Sequence, residues 1–289
     1  MNDLVISEGF NLKDLSAEMG TAADTGGSGG RMKSLRVNRA VEDKDGRELP
    51  RGHFFLTGED ETAYAASVTF RPLSHHFQYM QYDAATKKYV CWSRQISSFQ
   101  EEARDIRGTL RCGRPDSKAL AQLSREEKQK YKDIKNIRLV RGVVSFVGKT
   151  LDGKEVVYEN VPCLLRLTGQ NNFQSSDKGV YAPFDAQVRD RVPRGYELWN
   201  FDLTLTSKKN RSDDGETIWY TIEYNLDPKD PKPVTQEVYD SIVHIAGMIR
   251  NENATVDKQY AAALMGDRDY DDAIEALGAS LDDDLEDAA

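Results

Sequence analysis

Residues 136–149 read NIRLVRGVVSFVGK, a long run in which apolar and polar residues alternate and β-branched residues are frequent. That pattern is typical of a strand with one buried face. The run leads to Asp152-Gly153, a dipeptide that favours a two-residue hairpin turn, and KEVVYENV and PCLLRLTG follow. The stretch therefore predicts an antiparallel hairpin and a β-rich fold.

The sequence on both sides extends this pattern. Further predicted strands are HFFLTG (53–58), ASVTFRPL (66–73), HHFQYMQYD (75–83), KKYVCWSRQI (87–96), GYELWNFDLTLTS (195–207) and ETIWYTIEYNL (216–226). Two segments have helical spacing instead, Ser117–Lys132 with Ser124 as a cap and Thr235–Asn251 with Thr235 as a cap. A third short helix is expected over 256–264. We expect a mainly β fold with minor α, namely an oligonucleotide-binding-type barrel with insertions and a C-terminal helix.

Composition divides the chain into four parts. Residues 1–30 end in GGSGG and predict a flexible N-terminal arm with a glycine-rich linker. Residues 31–234 form the β-rich core, residues 235–265 the C-terminal helices, and residues 266–289 an acidic, disordered tail. No stretch is long and apolar enough for a membrane helix, and no secretory signal precedes the core, so we expect a cytoplasmic protein without membrane contact.

The net charge of −9 lies entirely in the last 24 residues, which contain ten acids and one base. The other 265 residues carry equal numbers of acidic and basic side chains. Within them, residues 71–150 hold seventeen Lys and Arg against eight Asp and Glu. A basic body segment and an acidic tail predict competition between the tail and a polyanion for one groove.

Aromatic rings are interleaved with the bases of that segment. Non-specific binding of single-stranded nucleic acid needs this combination, because cations contact phosphates while rings stack on bases without reading sequence. Most rings of a β protein are nevertheless core, so the individual assignments are hypotheses. The predicted contacts are Arg71, Phe77, Tyr79, Lys87, Lys88, Tyr89, Trp92, Arg94, Arg111 and Arg141, with Lys208 and Lys209 on the last hairpin.

The motifs of catalysis are weak. Gly148-Lys149-Thr150 lacks the first glycine of a phosphate loop and lies in a predicted strand. The cysteines at 91, 112 and 163 have no CxxC spacing, which favours reduced, buried thiols over a zinc site. We therefore expect no enzymatic activity, no metal and no cofactor. A metal-dependent nuclease built on Asp116, Glu126 and Lys128 is kept as an alternative.

The layout of a basic–aromatic β core, an amphipathic helix and the tail LGASLDDDLEDAA resembles phage-type single-stranded DNA-binding (helix-destabilising) proteins. RCGRPDSKAL (111–120), KYKDIKNIRLVRGVVSFVG (130–148) and FDLTLTSKKN (201–210) carry the resemblance. It implies DNA in a basic groove and a tail that recruits replication or recombination proteins. Tails of many such proteins end in an aromatic residue, whereas this one ends Asp287-Ala288-Ala289. The tail contacts would be Leu281, Asp282, Asp283, Asp284, Leu285, Glu286 and Asp287.

The sequence thus predicts sequence-independent binding of single-stranded DNA in phage replication and recombination, in the host cytoplasm if the protein is phage-encoded. Self-association is left open. The first alternative is a virion structural or assembly protein, which would form an oligomer indifferent to DNA. The second is the nuclease, which would degrade DNA in a Mg²⁺-dependent reaction.

Overall fold

The computed structural model describes residues 32–59, 61–176, 179–212 and 214–265. The predicted arm over 1–30 and the predicted tail over 266–289, with its contacts from Leu281 to Asp287, lie outside the described residues. Everything below refers to the described ranges.

The described residues are mainly β, as the sequence predicts. The strands are β1 (Lys33–Val37), β2 (Phe54–Leu56), β3 (Ser67–Asp83), β4 (Lys88–Trp92), β5 (Ile134–Lys149), β6 (Glu155–Leu167), β7 (Gln174–Ser176), β8 (Gly179–Tyr181), β9 (Leu203–Arg211) and β10 (Ile218–Leu226). β1, β7 and β8 were not predicted as strands. The predicted strand over 195–207 is wrong in its first half, where a 3-10 turn (Leu198–Asn200) precedes β9.

Eight strands form one mixed sheet in the order β10-β9-β3-β5-β6-β1-β2, with β4 paired to β3, while β7 and β8 pair separately. β1 runs parallel to β6 and antiparallel to β2. The sheet is open, so the predicted oligonucleotide-binding barrel is not confirmed.

β3 is one strand of 17 residues where two were predicted. Its first part pairs with β9 through Ser67–Phe70, and its last part pairs with β4 through Met80–Asp83. Pro72 lies inside it and lacks a donor, but the pairing on either side keeps the backbone extended. The neighbouring β5 comes so close that a Cβ on Gly142 would lie 2.2 Å from the Arg71 carbonyl oxygen, which explains the glycine there.

Four α-helices are present in the described ranges: α1 (Ser117–Gln122), α2 (Arg125–Gln129), α3 (Pro183–Gln187) and α4 (Gln236–Met265). The predicted helix over Ser117–Lys132 is two short helices, and Ser124 caps the second through a capping box with Glu127. Thr235 accepts a hydrogen bond from the Val238 amide, as expected of a cap. The separate helix predicted over 256–264 is wrong, because α4 continues through it for 30 residues in all.

The chain divides into two compact units. The first contains residues up to His75 and Leu139–Gly247, and its core is built from the inward faces of the strands, with Phe54, Phe70 and Phe201 at or below 1% exposure. The second contains His76–Arg138 and the residues from Met248 onward. Its buried apolar side chains include Phe77, Met80, Trp92, Ile96, Ile106, Ile134 and Ile137. None of the helices in the described ranges is long and apolar enough to cross a membrane.

Candidate nucleic-acid interface

The predicted contact residues are divided between the two units. Arg71, Arg141, Lys208 and Lys209 belong to the first unit, and the other eight belong to the second. Within the second unit, residues 76–138 carry fourteen Lys and Arg against eight Asp and Glu. The second unit therefore contains most of the predicted interface and is basic over this segment.

Three of the predicted contacts lie in the interior and do not present a surface. Phe77 is 3% exposed, Trp92 5% and Arg141 3%. Phe77 packs under the guanidinium of Arg138, whose carbon lies 4.7 Å from the ring centroid. The prediction of these residues as contacts is corrected on this ground, since a ring or cation buried in the core cannot reach a base or a phosphate.

The turn between β3 and β4 presents the clearest combination of cations and rings. Lys87 and Lys88 are exposed there, and Lys87 has a positive φ of 56°. In the same hairpin, Tyr82 and Tyr89 are half-buried and meet edge to face with centroids 5.6 Å apart. Two exposed lysines and two partly accessible rings thus belong to one hairpin, although Lys88 and Tyr89, as neighbours on β4, point to opposite faces of it.

Asp83 fixes the shape of this turn. Its carboxylate accepts hydrogen bonds from the Ala85 amide (2.9 Å) and the Thr86 hydroxyl (2.9 Å). The bond from the Ala85 amide is the main reason that the pKa of Asp83 lies below its ordinary value. The turn is therefore stabilised by a carboxylate that accepts hydrogen bonds from the residues of the turn itself.

A second cluster surrounds Tyr79, which is half-buried on β3. Burial raises the pKa of its hydroxyl above the ordinary value, while the charges of Arg114 and Arg111 act in the opposite direction. Arg111 Nε donates to the Arg114 carbonyl (3.1 Å), and Arg114 Nη1 donates to the Ile134 carbonyl (2.8 Å). Both arginines are half-buried, and backbone carbonyls orient two guanidinium groups whose charges act on the Tyr79 hydroxyl.

The end of α4 covers another part of the basic segment within the second unit. Asp257 lies 3.4 Å from Arg94 and 3.9 Å from Arg104, and the Arg104 guanidinium lies 5.7 Å from the Tyr260 ring centroid. The Asn253 side chain also exchanges two hydrogen bonds with the backbone of Gln95, at 2.7 and 3.0 Å. Arg94, a predicted DNA contact, is thus paired with an acid of the chain itself.

The contacts predicted in the first unit also differ in availability. Arg71 Nε forms an ion pair with Asp202 at 2.7 Å. Lys208 and Lys209 are exposed on β9, opposite Thr221 and Tyr220 of β10. Adjacent positions on a strand point to opposite faces, so these two lysines serve different surfaces of the hairpin.

The structure adds two candidates to the predicted contacts, of which sequence reasoning missed the first. Phe99 is 52% exposed and lies 4.1 Å from Phe77, centroid to centroid, so it is a surface ring supported by a buried one. Arg107 is exposed and donates to the Gln81 side chain at 2.7 Å. Phe99 lies in a polar SSFQEE segment without strand alternation. A single ring in such a segment could have predicted an exposed aromatic side chain.

Two of the three groups of the nuclease alternative have structural roles. Asp116 caps α1 by accepting from the Ala119 amide at 2.8 Å, and Lys128 Nζ donates to the Ala121 carbonyl at 3.2 Å. Over the described ranges, Asp116 and Glu126 are not part of a group of metal-ligand atoms within reach of one another.

The cysteines are buried free thiols, as predicted. The structure nevertheless brings two of them together, with Asp105, in a way that their spacing did not indicate: ligand atoms of Cys91, Asp105 and Cys112 all lie within 4.8 Å of one another. A hydrogen bond with Cys91, followed by burial, raises the pKa of the Cys112 thiol above its usual range. Cys163 lies in the first unit, apart from this cluster.

Comparison with known proteins gives no relationship: no family model matches the chain, and no curated protein sequence or solved structure matches it significantly.

Proposed function

We propose that this chain is a non-catalytic protein that binds single-stranded DNA without sequence preference, in phage replication and recombination and in the cytoplasm of the host. The observation that carries the proposal is the β3–β4 hairpin, where Lys87 and Lys88 are exposed and the Tyr82–Tyr89 ring pair is partly accessible. Phosphates need accessible cations and bases need accessible ring faces, and this hairpin contains both.

The remaining surface of the second unit extends this contact. Arg111 and Arg114 around Tyr79, together with Arg107 and the exposed ring of Phe99, supply further cations and a stacking face. Cations that contact phosphates and rings that stack on bases act on any nucleotide alike, which suits binding without sequence preference. Lys208 and Lys209 remain proposed contacts of the first unit.

A barrel of the oligonucleotide-binding type is proposed for the first unit. A backbone bridge between Phe54 and Ala65 links β2 to the segment that leads into β3. A second bridge, between Tyr64 and Lys149, links that segment to the end of β5. These links draw the β2 end of the sheet toward its middle. They support a partly closed sheet of the kind that binds single strands in other proteins.

The acidic tail is proposed to compete with DNA for the basic surface and to recruit replication or recombination proteins when it is released. The ten acids and one base of the tail follow directly after α4 in the sequence. In the last turns of α4, Asp257 already lies beside Arg94 and Arg104. A polyanion tethered at that point has a high effective concentration at the same cations.

The experiment is fluorescence anisotropy of a labelled oligo(dT) of about 30 nucleotides, which exceeds the site size of one oligonucleotide-binding fold. Full-length protein and a 1–265 truncation are compared at low and high salt. We expect binding that weakens with salt by about 0.7 in log–log slope per phosphate contacted, and tighter binding after truncation. Absence of binding by both forms at low salt would contradict the proposal. A stable oligomer indifferent to DNA would then favour the virion assembly protein.

A further inference from the structure

We propose that Cys91, Asp105 and Cys112 form a binding site for a single zinc ion that ties β4 to the loop following it. The three side chains lie in the second unit, and their ligand atoms are within 4.8 Å of one another. Cys91 is 0% exposed, Asp105 0% and Cys112 6%. The inference is independent of DNA binding and rests on this cluster alone.

The donor set selects the metal. Thiolates are soft ligands that favour Zn²⁺ over Mg²⁺ or Ca²⁺, and a carboxylate completes a common mixed set. Zn–S bonds of about 2.3 Å and Zn–O bonds of about 2.1 Å place tetrahedral ligand atoms roughly 3.7 Å apart. Closing the cluster around zinc therefore requires movements of about 1 Å, which side-chain rotation provides.

The loop from Asp105 to Gly113 is shaped to present these ligands. Asp105 accepts four hydrogen bonds from its own loop, from the amides of Arg107 (3.0 Å), Thr109 (3.1 Å) and Cys112 (2.8 Å) and from the Thr109 hydroxyl (2.6 Å). Outer-shell bonds of this kind orient a carboxylate ligand. Zinc would take the place of the Thr109 hydroxyl on Oδ2, and the three amide bonds would remain.

Cys112 is held toward Cys91 by an unusual backbone. Arg111, Cys112 and Gly113 have consecutive positive φ values of 56°, 55° and 79°. The left-handed conformation is unfavourable for a residue with a side chain, so two such residues in succession need compensation from the surrounding structure. A metal bond to the Cys112 thiolate supplies such compensation.

A water can supply the fourth ligand, as in zinc sites that have three protein ligands. The Tyr79 carbonyl oxygen lies 3.5 Å from Cys112 Sγ, but it also accepts a hydrogen bond from the Ser93 amide at 2.8 Å and therefore stays in the strand pairing. Binding converts two thiols to thiolates and releases two protons for each zinc bound.

The test uses full-length protein, with cobalt as a spectroscopic substitute for zinc. Titration with Co²⁺ should give thiolate-to-cobalt charge-transfer absorption that saturates at one equivalent and is displaced by Zn²⁺. The acidic tail cannot produce this band because it contains no sulfur. Protein purified without chelator should contain about one zinc, released by a thiol-modifying reagent.

Two cysteine variants distinguish the site from general thiol binding. Cys112→Ser should weaken cobalt binding by more than the 10- to 100-fold typical of outer-shell changes. Cys163→Ser, a matched change at a buried thiol outside the cluster, should leave the spectrum unchanged. If Cys112→Ser fails to fold by circular dichroism, the wild-type spectrum decides, because its intensity reports two thiolate ligands. No charge-transfer band in wild type, or a band lost equally in Cys163→Ser, would overturn the proposal.

Discussion

The exposed lysines of the β3–β4 turn and the arginines beneath the end of α4 belong to the same basic segment but stand in opposite situations. Lys87 and Lys88 project into solvent at a turn. Arg94 and Arg104, in contrast, lie beside Asp257, and Arg138 is fully buried next to Phe77. The total positive charge of a segment therefore differs from the charge that a phosphate can reach. The exposure of each side chain decides which cations a phosphate can reach.

The largest predicted effect is a loss of stability at Trp92, a ring of the basic segment that lies in the core and not at the surface. Because it is 5% exposed, Trp92→Ala should remove buried contacts and lower the free energy of unfolding by about 3–5 kcal/mol. Chemical denaturation monitored by circular dichroism measures this change. The truncation of an exposed ring, Tyr181→Ala, is the control, and we expect a change of about 0.5 kcal/mol or less.

A milder variant, Trp92→Phe, tests whether Trp92 stacks on DNA. The DNA affinity of the folded fraction of Trp92→Phe should match that of the wild type, since the ring is part of the core. A loss of oligo(dT) affinity in Trp92→Phe without a loss of stability would show that the tryptophan meets DNA and that its burial is relieved on binding.

The next largest effect is expected from charge reversal at the turn. Lys87→Glu with Lys88→Glu removes two phosphate contacts and adds repulsion, so oligo(dT) affinity at low salt should fall on the order of 10- to 100-fold. The magnitude of the log–log salt slope should decrease by about 1.4, which is two contacts at 0.7 each. Anisotropy titrations over a range of salt concentrations measure both quantities.

Lys149→Glu with Lys154→Glu is the matched control, because it also reverses two exposed lysines and makes the same change of net charge. The two lysines stand on either side of the turn between β5 and β6, where Lys149 lies 3.8 Å from Glu155 and Lys154 lies 2.7 Å from Glu61. This double reversal should alter affinity only through net charge, with the salt slope unchanged. Equal losses in the control and in the Lys87 and Lys88 variant would mean that binding responds to total charge and not to the turn.

The comparison also indicates what sequence could predict. Strands with local partners were found, because alternation and the Asp152-Gly153 turn encode β5 and β6 within one short stretch. β1 was missed because it pairs in parallel with Cys163–Leu165 of β6, and a parallel pair of distant segments leaves no turn signature. The length of α4 was missed because Asn251 and Asn253 resemble a helix end, whereas Asn253 bonds to Gln95.

The candidate site was predictable in the same uneven way. Lys87, Lys88 and Tyr89 were identified from the mixture of bases and rings, and the structure exposes the two lysines and leaves Tyr89 half-buried. Strand alternation could not separate Phe77 from Tyr79, since both lie on the same face and only the packing of Phe99 and Arg138 buries the former. Asp105 was missed because its meeting with Cys91 and Cys112 depends on the tertiary fold.

The smallest effect concerns the cations beneath α4. Asp257→Asn removes the negative charge that Arg94 and Arg104 share, while an amide of the same size keeps the packing. If this acid withholds the two arginines from phosphates, the variant should bind oligo(dT) several-fold more tightly. Exposed and partly exposed ion pairs contribute about 0–1 kcal/mol, so the helix should remain folded.

Asp240→Asn provides the control, because Asp240 is an exposed acid near the start of α4, in the first unit. It makes the same change of net charge without an arginine neighbour of this kind. Combining Asp257→Asn with the 1–265 truncation sharpens the result further. If the tail and Asp257 restrain the same arginines, the gain from Asp257→Asn will be greatest after the tail is removed, since the tail would otherwise occupy the cations that the variant releases. Equal gains with and without the tail would place the tail on other cations, and the exposed lysines of the β3–β4 turn would then be its first candidates.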